Sequence, residues 1–153
     1  MHDTYRWHYQ MGTFVERYYQ GSSLVVNEIG AVNFLADIHC TDPHGLGDRE
    51  IGRARWRGRL TSQFIDQLAR SRGARVALVD DNWLGFFGGV PREWLLAGVW
   101  RIQNRVVLAP PGLACYAFDE TAKAKLMEHL REYSRFLPPD VEQLGPYQQE
   151  SRH

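Results

Sequence analysis

Three short strand-like runs, Leu24-Val25-Val26, Ile38-His39-Cys40-Thr41 and Val76-Ala77-Leu78-Val79, are separated by stretches whose apolar residues recur at helical intervals. This alternation constrains the fold more than any single motif does. Short buried strands need cover on both faces, and a helix between two of them returns the chain to begin the next strand in parallel. Farther on the pattern changes. Leu95 to Ile102, Val106 to Ala109 and Leu113 to Phe118 read as consecutive strands, with turns at Gln103-Asn104 and Pro110-Pro111-Gly112. The expectation is a three-layer α/β domain whose mixed sheet is parallel first, then antiparallel, and flanked by helices.

The helical stretches can be placed from their apolar faces. Trp7, Met11, Phe14, Val15 and Tyr18 mark a helix over residues 4–19, and Phe34 and Leu35 lie on a short one after a tight passage at Asn27-Glu28-Ile29-Gly30-Ala31. Residues 48–59 are helical and dense in arginine. A helix over 61–72 carries Phe64, Ile65, Leu68 and Ala69 on one side. The last, over 120–136, turns Leu126, Met127, Leu130, Tyr133 and Leu137 to the core, and Pro138-Pro139 ends it. With 153 residues, 44% of them hydrophobic, the chain can build one sizeable core. We expect a single soluble domain over 1–141 and a polar C-terminal tail over 142–153.

Charge excludes one class of partner. Eighteen Lys+Arg balance 18 Asp+Glu, so no global basic field draws the chain onto nucleic acid. The two cysteines, Cys40 and Cys115, are too few for a disulfide framework and too far apart for a zinc or redox motif. No run approaches the roughly 18 apolar residues of a membrane span. The first 20 residues lack the apolar centre of a signal peptide.

In open α/β sheets ligands bind outside the carboxyl ends of the strands. Here those ends carry Asn27 and Glu28, then Asp42 and His44, then Asp80 and Asp81, six candidate ligand-binding residues able to converge on one crevice. The same residues also suit plain architecture, with Asp42 and Asp80 capping turns and Asn27 tying down its loop. A metal is not expected at His39-Cys40-Thr41-Asp42-Pro43-His44, because adjacent strand residues point to opposite faces. Nucleotide-loop, zinc-protease and serine-hydrolase signatures do not occur, so no catalytic residue and no cofactor are assigned.

Arg49, Arg53 and Arg57, spaced by four, share one helical face. Guanidinium forks suit phosphate, which makes these three candidates for contact with lipid headgroups or a lipid-linked phosphate; a solvated face offset by Asp48, Glu50 and Asp66 is the alternative. Trp83, Phe86, Phe87 and Trp94 flank glycines, a composition suited to stacking on a sugar or lying at a membrane interface, and equally to sealing a sheet edge.

Five segments taken in order carry a family resemblance. They are Tyr9-Gln10-Met11, the run from Val25 to Phe34 (Val-Val-Asn-Glu-Ile-Gly-Ala-Val-Asn-Phe), Thr41-Asp42-Pro43-His44-Gly45-Leu46-Gly47, Val79-Asp80-Asp81-Asn82-Trp83 and Cys115-Tyr116-Ala117-Phe118-Asp119. Together they resemble the C-terminal soluble domain of bacterial polytopic glycosyltransferases of the GT-C superfamily, of the protein-mannosyltransferase and aminoarabinose-transferase type. The resemblance runs from about Tyr5 to Val141. It departs at Glu28, which replaces the usual acid of the first motif, and at Pro43-His44, which interrupts the second.

The resemblance implies an extracytoplasmic α/β domain beside a transmembrane glycosyltransferase bundle, in the same chain or as a split partner. Catalysis in that family is attributed to an acid near the membrane bundle, so no catalytic residue carries over. Asn27, Glu28, Gly30, Asp42, Gly45 and Leu46 would serve the fold, with a role in donor or acceptor contact. The implied function is a non-catalytic soluble accessory domain of an enzyme that uses a lipid-phosphate sugar donor in cell-envelope glycan assembly, its partners a lipid-linked sugar or the membrane surface. It would lie at the extracytoplasmic, periplasmic face of the inner membrane. Two rivals are a small stand-alone hydrolase-type enzyme using Asp42, His44 and Asp80, and a ligand- or protein-interaction module. A stand-alone chain would be cytoplasmic.

Overall fold

A computed structural model describes residues 2–27, 29–80, 88–102 and 112–149. Among them run α1 (His2–Tyr18), β1 (Ser23–Val26), α2 (Ile29–Leu35), β2 (His39–Thr41), α3 (Arg49–Trp56), α4 (Ser62–Ser71), β3 (Val76–Asp80), β4 (Leu95–Ile102), β5 (Leu113–Ala117), α5 (Glu120–Tyr133) and β6 (Val141–Leu144). Three helices begin where a side chain accepts from an otherwise unsatisfied backbone amide. Asp48 takes Glu50 N and Ile51 N, Thr61 takes Phe64 N at 3.1 Å, and Asp119 takes Ala122 N at 2.7 Å.

The sheet order is β2-β1-β3-β5-β4-β6. β1 pairs in parallel with β2 and β3; β5, β4 and β6 continue antiparallel, so the parallel half precedes the antiparallel half. Side chains alternate across the sheet. Val76 and Leu78 of β3 join one apolar cluster with Met11, Phe14, Val32 and Leu126, whereas Ala77 and Val79 join another with Ile51, Ala54, Ile65 and Ala69. Helices α1, α2 and α5 thus cover one face, and α3 and α4 cover the other. This is the three-layer α/β arrangement that the strand and helix order implies.

Two expectations change. Residues 142–149 are not a loose polar tail: β6 pairs with β4, and Tyr147 is buried. Its hydroxyl donates to Gln143 Oε1 at 2.8 Å and accepts from Trp100 Nε1 at 3.2 Å, so polar groups stitch the segment on. The ring lies where Gly98 has no side chain; a Cβ there would come 2.2 Å from Tyr147 Cδ1. Second, the last turn of the closing helix tightens into a 3-10 turn at Ser134–Phe136. The expected strand at Val106 to Ala109, the turns at Gln103-Asn104 and Pro110-Pro111, and residues 150–153 lie outside the described residues.

Candidate functional site

β1 lies between β2 and β3, so the three carboxyl ends are side by side. From β1 the chain goes outward to β2 by way of α2 on one face, and from β2 it crosses back to β3 by way of α3 and α4 on the other, which puts the topological switch at the β1–β3 crevice. Asn27, at the end of β1, borders it, whereas Asp42 follows the neighbouring edge strand β2; both are buried. Asn27 Oδ1 accepts from Asp80 N at 3.3 Å, so the end of β1 is fastened to the end of β3. Glu28 and Asp81 lie outside the described residues.

Asp42 turns away from β3 and into its own loop. Its Oδ1 accepts from His44 N at 2.9 Å, and its Oδ2 accepts from Leu46 N at 2.9 Å and Gly47 N at 3.0 Å. Three amides on one carboxylate make this residue the organiser of the 42–47 loop. The loop then seats on α3. His44 O accepts from Arg55 Nη1 at 2.9 Å, and Gly45, with φ of 75°, lies so close that a Cβ would sit 2.8 Å from Gly52 N. His44 contributes its backbone N–H and C=O to this loop, and the structure brings Asn27 together with Asp80 while turning Asp42 to its own loop.

A second polar centre, absent from the sequence-based expectations as a unit, joins the end of β2 to both helices behind it. Arg72, just past α4, donates from Nη1 to Asp48 Oδ2 and to Thr41 Oγ1 at 3.1 Å, and from Nη2 to Asp48 Oδ1 at 3.2 Å and Glu50 Oε1 at 3.4 Å. The Asp48 side chain is only 3% exposed, and Arg72 is 30% exposed. Burial pushes the Asp48 carboxyl up, but the hydrogen bonds from Arg72, Ile51 and Glu50, with the Arg72 charge, outweigh it and hold it below the usual range. The Asp48 signal in the sequence is the helix cap; its pairing with a residue 24 positions later has no local signature.

Beside this centre an open cleft of about 650 Å³ runs along edge strand β2, lined among others by His39, Cys40, Asp48, Arg49 and Arg72. Cys40 is not a poised nucleophile. Burial, then the nearby Asp42 carboxylate, pushes its thiol up to about 11, and Sγ lies 3.6 Å from Val26 O. Among the described residues no three His, Cys, Asp or Glu side chains are grouped to hold a metal. None of the described helices is long and apolar enough to cross a membrane.

Arg49, Arg53 and Arg57 are exposed on the outer side of α3, opposite buried Ile51 and Ala54. The acids expected to offset them are engaged elsewhere. Asp48 and Glu50 face Arg72, and Asp66 holds Arg70 at 2.9 Å and Trp94 Nε1 at 2.7 Å. That last bond also corrects the sugar-stacking reading of Trp94, whose ring is buried and stacked on Phe118 with centroids 4.7 Å apart. Trp83, Phe86 and Phe87 lie outside the described residues. Trp56, outside the aromatic set that the sequence singles out, is 91% exposed, three residues beyond Arg53 on the arginine side of the helix.

The fold and this site are those of an α/β domain whose strand-end loops are held by internal hydrogen bonds. The chain belongs to the family described as Domain of unknown function (DUF8728), whose model matches residues 2–122. No curated protein and no solved structure matches it.

Proposed function

We propose that the chain is a non-catalytic soluble accessory domain of a polytopic glycosyltransferase, one that uses a lipid-phosphate sugar donor in cell-envelope glycan assembly. Its partner would be the transmembrane bundle, in the same chain or as a separate polypeptide, and its place the extracytoplasmic side of a bacterial inner membrane. The observation that carries this reading is how the two principal resembling segments are used. Among the described residues, 25–27 and 29–34 supply the end of β1 and α2, and 41–47 supply the end of β2 and the loop after it, the two strands being parallel neighbours. Their polar residues Asn27 and Asp42 spend hydrogen-bonding capacity on backbone amides. Residues that shape loops in this way act as fold determinants, the role the family resemblance gives them.

A hydrolase built on Asp42, His44 and Asp80 would need these side chains aimed at a shared substrate. Asp42 is instead 2% exposed and faces its own loop, which favours the accessory role. The test is incubation of the purified chain with polyprenyl-phosphate sugars and candidate acceptors. The expected result is no product above a buffer blank. Reproducible turnover overturns the reading, and its loss in Asp80→Ala would place the chemistry at the strand ends.

A further inference from the structure

The geometry points to the outer face of α3 as a docking surface for an anionic lipid bilayer. Arg49, Arg53 and Arg57 recur there every four residues, Trp56 stands among them at 91% exposure, and the loop packed on the same helix presents Leu46 at 82% exposure. Loop and helix form one surface, because Arg55 Nη1 holds His44 O and Gly45 is seated on Gly52. Arg59 extends the exposed basic run past the helix end.

Charge complementarity selects the occupant. The neighbouring acids Asp48, Glu50 and Asp66 are held by Arg70 and Arg72, leaving the arginine stripe with no ion pair among the described residues. Arg49 also borders the cleft along β2, but the stripe it shares with Arg53 and Arg57 continues along the exposed outer side of the helix, a row of cations that matches a plane of lipid phosphates. The two large apolar side chains add a reason for a bilayer. An indole flanked by guanidinium groups fits the headgroup boundary, where its ring leaves water and its N–H keeps a polar partner. The inference stands on α3 and its loop, and holds whether or not the glycosyltransferase reading does.

The test is sedimentation with vesicles of phosphatidylglycerol and phosphatidylcholine against phosphatidylcholine alone, at low and at physiological salt. The full chain is compared with the triple variant Arg49→Glu, Arg53→Glu, Arg57→Glu and with Trp56→Ala. All four positions are exposed, and circular dichroism checks that the fold is kept. The chain should partition to anionic vesicles about tenfold or more over neutral ones, with the preference weakened by salt and lost in the triple variant. Trp56→Ala should bind several-fold more weakly while keeping the anionic preference. Equal partition of the chain and the triple variant, or no binding to anionic vesicles at low salt, overturns the proposal. So does displacement from vesicles by millimolar inorganic phosphate when chloride at matched ionic strength does not displace, which would mark a soluble-anion site.

Discussion

Asp42 shows what a single side chain settles at this site. With three backbone amides on one buried carboxylate, Asp42→Ala removes all three hydrogen bonds at once, and the loss should be about 2–4 kcal/mol by denaturant unfolding. Asn27→Ala removes one longer bond and should cost about 1 kcal/mol. Unchanged midpoints in both variants would contradict an architectural role and return these residues to a ligand site. The sequence made the loop legible, since Asp-Pro-His-Gly-Leu-Gly is rich in turn formers. It left open whether the carboxylate faced the crevice or its own amides, because both use the same residue type at a strand end. Exposure of Trp56 was legible too: it lies seven residues after Arg49, on the side already marked by arginines.

At the scale of elements, two contacts make stability depend on pH. Asp48 links α3 to Arg72 after α4, and its carboxyl is held below the ordinary range in the fold. A depressed carboxyl contributes stability that is present above its unfolded value, about 4, and is lost as pH falls through the folded one. On α5, His129 stacks on Tyr18 of α1 at 4.4 Å and lies 3.1 Å from Tyr19 Oη through Nδ1. Burial first, then the Lys125 charge, lowers its pKa, so the folded state binds this proton less readily than the unfolded chain. Stability should therefore fall with acid in two stages, beginning below about pH 6.5 for His129 and below about pH 4 for Asp48. Urea midpoints of the chain and of His129→Gln across pH 3–8 check this. The variant should lose the upper stage alone, and an unaltered profile would contradict the assignment. Replacing Arg72 with Met should cost about 2–4 kcal/mol at neutral pH by leaving the Asp48 carboxylate buried without its partner. Helix positions were readable from periodicity, but neither link was, since each joins residues that only tertiary packing brings together.

For the whole molecule, the parallel half of the sheet was legible because its short strand-like runs alternate with helical periods. The closing strand was not. Val141–Leu144 is short, only partly buried and followed by polar residues, and its place in the sheet depends on the notch at Gly98 and on Trp100, more than 40 residues earlier. Tyr147→Ala should therefore cost about 3 kcal/mol, and Gly98→Ala about 1–3 kcal/mol by driving a methyl into the Tyr147 ring. A loose tail would give no change in thermal midpoint for Tyr147→Ala. The proposed attachment of the domain to a membrane glycosyltransferase is open to direct measurement by subcellular fractionation of the source cells with an antibody against the domain. The antigen should be carried by the membrane fraction, either on a polypeptide far larger than 17.7 kDa or on a small one that co-purifies with a polytopic glycosyltransferase. A 17.7 kDa antigen confined to the soluble fraction and free of any such partner would contradict it.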